Sequence, residues 1–278
     1  RGKQNTNGSR SKTWEELPNA NAADYTTTTF SEAEGRAIEQ RNLAQIRRLT
    51  SGGNSGKMES ELGRFKETIS SDERMSKDYY SALKNKFSHG SDDAKALFNK
   101  YVNGNSVENA SFFGTAHFDP TTKKISMSYY SDLRNPRGKG ATWFHEHGHL
   151  IDDALNNISD NKEFRQCLSD DWLSYMKYYG KANNIKTFDK VQTAISKDLN
   201  SMRKHSAVSD LLEGVSNYGI KGCAGHGVGY WSDDAMICSE AFAHMYEAQF
   251  DKTRYAEMQK YFPSALSKFE SMIKEAAK

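Results

Sequence analysis

The stretch WFHEHGHLIDDAL, Trp143 to Leu155, crowds His145, Glu146, His147 and His149 into five residues between apolar flanks. On a helix, His145 and His149 stand one turn apart on the same face. Two imidazoles so placed can reach one ion, and zinc takes nitrogen ligands at about 2.0–2.1 Å. Glu146 lies one step round the helix, placed to polarise a water beside the ion rather than to bind the ion. Trp143, Phe144, Leu150 and Ile151 mark the helix as buried on at least one side. Buried histidines need polar partners, and a metal supplies them. His147 falls off the ligand face and is expected at the surface or at an edge contact. Gly148 removes a side chain just before His149, so another backbone or a substrate can come close.

A catalytic zinc site takes three protein ligands and keeps one position open. LIDDAL follows His149, so the third ligand is not a nearby histidine of the metzincin pattern. The better donor is Glu240, in SEAFAH, because so apolar a helix does not carry a charge without a use. His244, one turn further on, is either an outer partner or itself the ligand. Asp152 and Asp153 lie three and four residues after His149, where a carboxylate can accept from the far nitrogen of a zinc-bound ring, Asp153 being preferred. His226, in AGHGVG, is a candidate donor to an oxyanion. For His226 and for His117 the plain alternative is a surface histidine.

Stepping out from these residues, the chain shows the elements that must hold them. Residues 1–29 are rich in Asn, Ser, Thr and Gly and make poor core material. Residues 31–49 read as a helix with Ser31 and Glu34 in a capping box, and SGGNSG at 51–56 breaks it. Helical spacing follows at about 57–70, 75–87 and 91–103. The texture then alternates: a β-hairpin is expected with strands at Phe112–Phe118 and Lys124–Tyr130 about a turn at Asp119-Pro120. Residues 160–215 read as helical, with a final short helix beginning at Asp210. The glycine-rich 218–231 is a shaped loop, Asp233–Phe250 a strong helix capped by Ser232 or Asp233, and Pro263 opens the last helix. The expected organisation is a flexible segment 1–29, a helical region 30–105 and a domain 106–278: an α+β fold, mostly helical, with a small antiparallel sheet.

The 278 residues carry a formal net charge of +2, with 36% hydrophobic and 27% charged residues. Nothing there argues for bulk capture of nucleic acid or of an anionic membrane. No apolar run is long enough to cross a bilayer. The start, RGKQNTNGSR, reads as that of a piece cut from something longer. Cys167, Cys223 and Cys238 are odd in number and widely spaced, and are expected as reduced thiols.

HEHGHLIDD, then SEAFAHMYEAQF, then YFPSALSKFESMI together resemble the gluzincin zinc metallopeptidases. The patterns most similar are the C-terminal metallopeptidase-like domain of Firmicutes prophage minor head proteins and the protease domain of anthrax lethal factor. The likeness covers Trp143–Leu155 and about 235–273, with a weaker echo at 111–133, and not the first hundred residues. It implies a zincin-like domain, with His145, His149 and Glu240 as zinc ligands and Glu146 as general base. It also implies a catalytic tyrosine upstream of Glu240, for which Tyr230 is the candidate and Tyr218 the second. The spacing to Glu240 is longer here than in the toxin pattern.

The function expected is a zinc-dependent endopeptidase acting on a protein or peptide substrate. Its origin would be bacterial or phage, virion-associated or secreted as a toxin. The alternative is a catalytically silent zinc-binding or capsid-assembly module, which has no need of Glu146.

Overall fold

The computed structural model describes Gly63, Phe65, Lys66 and residues 75–102, 106–109, 115–200, 205–223 and 225–278. The segment expected to be loose at 1–29, the helix at 31–49 and its break at 51–56 lie outside the described residues. So does most of the helix expected at 57–70, of which Gly63, Phe65 and Lys66 are helical. The described elements, in chain order, are α1 (Lys77–His89), α2 (Asp92–Tyr101), β1 (Val107–Asn109), β2 (His117–Asp119), β3 (Lys124–Met127) and α3 (Tyr129–Asp132). They continue as α4 (Ala141–Ala154), α5 (Lys162–Ala182), α6 (Phe188–Asn200) and α7 (Ser206–Val215). A 3₁₀ turn (Tyr230–Ser232), α8 (Asp234–Ala248), α9 (Lys252–Tyr261) and α10 (Pro263–Ala276) complete them. The fold is α+β and mostly helical. Among the described residues no helix is long and apolar enough to cross a membrane.

The sheet departs from expectation. Its order is β1-β3-β2, with β2 antiparallel and β1 parallel to β3, so it is mixed rather than antiparallel. The strands are shorter than the alternating texture indicated, and the second ends before Ser128, whose hydroxyl caps α3. The turn forms at Asp119, whose carboxylate accepts from the Thr121 N–H and the Thr122 hydroxyl, each at 2.8 Å. Among the described residues β2 stands at an edge of the sheet, paired with β3 only.

α4 and α8 make the most extensive helix contact of the fold. One end of this pair is an aromatic core: Phe144 stacks on Phe250 at 4.2 Å between ring centroids, and Phe250 stacks on Phe87 of α1 at 5.9 Å. Each such ring is worth roughly 1.5–3 kcal/mol of burial. Phe65 and Phe98 reach Trp143 at 5.8 and 5.3 Å, so the core runs on across the boundary expected near residue 105. In α1, Tyr79, Leu83 and Phe87 recur every four residues and form the buried stripe that meets this core.

Helix α4 starts where the sequence offers no capping side chain. Gly140 sits at its N-cap with φ of 82°, a backbone that favours glycine. A Cβ there would also come within 2.6 Å of Leu83. The open N–H groups are met from elsewhere: Asp132 accepts from Thr142 at 2.9 Å and Trp143 at 3.1 Å, and is itself held by the Tyr79 hydroxyl at 2.5 Å. α8 begins on Asp233, which accepts from the Ala235 N–H at 2.9 Å. α7 begins at Ser206, which places Asp210 in mid-helix rather than at a helix start.

Candidate metal centre

Beside the aromatic core, polar side chains of α4 and α8 face one another. His145 Nε2 lies 3.3 Å from Glu240 Oε2, and His149 Nε2 lies 3.5 Å from Glu240 Oε1. One ligand atom from each of His145, His149 and Glu240 can be chosen so that all lie within 4.8 Å of one another. The helices approach closely enough because Gly148 has no side chain: a Cβ there would stand 2.7 Å from Ala243 Cα and 3.2 Å from Tyr246 Cβ. The close approach expected at this glycine is made by the backbone of α8.

The three side chains line a cleft of about 700 Å³ that also takes in Glu146, His226 and Tyr230. Thr115 and Ala116, with His117 and Phe118 of β2, also line it. Tyr230 Oη donates to Glu240 Oε1 at 2.5 Å, and the His226 ring stacks on Tyr230 at 4.0 Å. Tyr218 is spent elsewhere, donating to the His226 carbonyl at 2.6 Å.

Electrostatics set the state of each group. Burial favours a neutral Glu240, but the charge of His149, with His145 beside it, holds its carboxyl well below the ordinary value. Burial likewise works against a charged His149, yet Glu240 beside it brings the ring up to about 9. His145 goes the other way, to about 3, through burial and then the neighbouring His244. Glu146 is pushed up to about 7 by burial.

Several groups that the sequence reading passed over hold the centre in place. The half-buried Arg137 donates from Nε to Glu247 Oε1 at 3.1 Å and from Nη1 to Ser206 Oγ at 3.1 Å. Glu247 Oε2 faces His244 Nδ1 at 3.5 Å and His145 Nδ1 at 4.0 Å. Asp210 accepts from the His226 backbone N–H at 3.0 Å and lies 3.1 Å from His226 Nδ1 and 3.4 Å from His244 Nε2. This carboxylate thus pins the glycine-rich loop and orients the His226 ring at once. A rule already applied to Glu240, a charge in an apolar helix, singles out Glu247 two turns later. The same rule singles out Asp210 in SAVSDLLEGV, whereas Arg137 has no such signal.

Two expectations fail here. Asp153 does not serve His149: its carboxylate pairs with Lys123 at the hairpin turn, at 2.7 and 2.9 Å. Instead His149 Nδ1 meets Ser239 Oγ at 3.2 Å, while the buried Asp152 accepts from Ser159. His147 is not at the surface. It is fully buried, packed on Trp143 at 3.9 Å and held by the Trp143 carbonyl at 2.7 Å. The face of α4 opposite the ligands is covered by Phe98 of α2, a contact that spacing within one helix does not announce. His117 is exposed on β2 at the cleft, and Cys167, Cys223 and Cys238 are free thiols.

The donor set fits zinc on two counts. Two imidazole nitrogens and one carboxylate make up a common catalytic zinc triad. Glu240 Oε2 and His145 Nδ1 are buried without a hydrogen-bond partner, and an unmet carboxylate oxygen between two imidazoles is costly unless a cation meets it. Comparison of the chain with protein families, with curated proteins and with solved structures found no match.

Proposed function

We propose that this protein is a zinc-dependent endopeptidase of the gluzincin type. The observation that carries the reading is the buried His145–His149–Glu240 triad under a cleft that also presents Glu146 and the edge strand β2. His145, His149 and Glu240 would hold the ion, which when bound supplies Lewis-acid polarisation of a carbonyl and lowers the pKa of water.

The remaining steps belong to the chain's own residues. The edge of β2 that has no partner strand among the described residues binds an extended peptide through backbone hydrogen bonds. Glu146 removes the proton of the attacking water and passes it to the leaving amine, for which a carboxyl displaced toward neutral pH by burial is suited. Tyr230 and His226 line the cleft beside Glu240, where an O–H or N–H can donate to the developing oxyanion. Asp210 keeps the His226 ring turned with Nε2 toward the cleft side, 3.6 Å from Glu240 Oε1. The resemblance in sequence adds a phage or toxin setting to this reading.

The test begins with metal content by mass spectrometry on wild type and Glu240→Ala, both purified without added metal. Zinc in the wild type and its loss in the variant are expected, followed by peptide hydrolysis that Glu146→Gln abolishes. Zinc with no hydrolysis of any unfolded protein or peptide library would leave a silent structural or assembly module. No zinc, even after reconstitution, would end the enzyme reading.

A further inference from the structure

The triad is not isolated. Asp210, Glu240 and His244 also offer three ligand atoms within 4.8 Å of one another, and this group shares Glu240 with the first. We propose that the centre takes two divalent cations, the second bound by Asp210 and His244 and bridged to the first by the Glu240 carboxylate. The inference rests on the zinc site proposed above and extends it.

Geometry favours it. Four ligands at about 2.0–2.1 Å from a tetrahedral ion stand roughly 3.3–3.4 Å from one another. The His145–Glu240 and His149–Glu240 separations are 3.3 and 3.5 Å, and the His244 Nε2–Asp210 Oδ2 separation is 3.4 Å. The one histidine–carboxylate separation within the second group thus matches those of the first. At 3.4 Å, His244 and Asp210 are also further apart than a good charge-assisted hydrogen bond, which closes to about 2.7–2.9 Å.

Burial and charge agree with the geometry. Asp210, Glu240 and His244 are all buried, and Glu240 Oε2 has no hydrogen-bond partner. Glu240 belongs to both groups and carries two oxygens, so its carboxylate is the one side chain that can join ions about 3.5–4 Å apart. Glu146, Asp210, Glu240 and Glu247 are all buried round a centre whose neighbouring guanidinium is Arg137. Two carboxylates and one imidazole suit Zn²⁺, Mn²⁺ or Co²⁺. The half-exposed His226, between Asp210 and the cleft, gives the second position a side open to solvent.

The experiment is a titration of metal-free full chain with Zn²⁺, read by native mass spectrometry, on wild type and Asp210→Asn. Two ions per wild-type chain and one per variant chain are expected. One ion in wild type at saturating Zn²⁺ overturns the second site and leaves the first standing. None overturns both. Two in the variant as well places the second ion elsewhere and overturns this assignment. Because Asp210 also anchors the glycine-rich loop, the variant is checked by circular dichroism, and wild type is titrated in parallel with Co²⁺. Ions sharing a carboxylate couple magnetically, so the electron paramagnetic resonance signal of the first equivalent is expected to fall as the second binds. A signal that doubles means isolated ions and overturns the bridge.

Discussion

Glu240 in α8 and Asp171 in α5 are both 2% exposed, yet the protein treats them in opposite ways. Asp171 sits at the start of α10, bonded to the Ser264 hydroxyl and to the Ala265 N–H at 2.8 Å. These partners are uncharged, and burial pushes its carboxyl up to about 7. Glu240 sits among imidazoles, and the same burial is overcome, so that its carboxyl falls well below the ordinary range. Burial alone neutralises an acid; only a cation beside it keeps the charge. Asp171 is a carboxyl that starts a helix, and Glu240 is one that keeps a charge where a metal could meet it. Glu146 stands between the two cases, in the cleft but raised by burial.

The sharpest way to break this comparison is at Glu146. Glu146→Gln is expected to lower kcat by about 100- to 10,000-fold while bound zinc is unchanged, the range for loss of a positioned general base. Loss of zinc together with activity would make Glu146 a ligand. Chelation comes next. A site filled at a thousand times its Kd adds about 4 kcal/mol to stability. For a chain of this size that is a fall in Tm on the order of 10 °C on metal removal. Calorimetry should show it in wild type and not in Glu240→Ala.

Asp171 sharpens the other side. Its folded pKa lies above its unfolded one, so the native state holds the proton longer. Its contribution is complete below about pH 4 and is lost as pH rises toward 7, on the order of 4 kcal/mol in all. Asp171→Asn, whose side chain never ionises, is expected to flatten stability between pH 4 and 7 in urea titrations. An unchanged pH slope would mean that Asp171 is ionised in place. The smallest contrast lies within one helix. Asp152→Ala strands the Ser159 N–H and hydroxyl and should cost about 1–3 kcal/mol. Asp153→Ala breaks a pair with the exposed Lys123 and should cost less than about 1 kcal/mol.

What the sequence revealed follows the same division between local and distant causes. His145, Glu146 and His149 are readable because one helix turn alone sets their arrangement. Glu240 is readable because a charge stands out in an apolar helix. The turn at Asp119 and the cap at Asp233 are likewise local. Asp210, Arg137 and the Asp132 cap of α4 reach their partners across the fold, and nothing near them in sequence names those partners. The short β1 was hidden for the same reason: a parallel strand of three residues carries no turn to mark it. His147 misled because its polarity says nothing of Phe98, which covers it.

Gly148 bears on this centre in a way that has nothing to do with charge. It lies where α4 and α8 touch, with the Ala243 backbone against it and donor atoms on either side, and so acts as the fulcrum of a pair of jaws. A methyl group at the fulcrum would open the jaws by some fraction of an ångström. Metal–ligand distances tolerate only about 0.2 Å. The bite of the centre is therefore gauged by a missing carbon atom, in a residue that donates nothing to the ion.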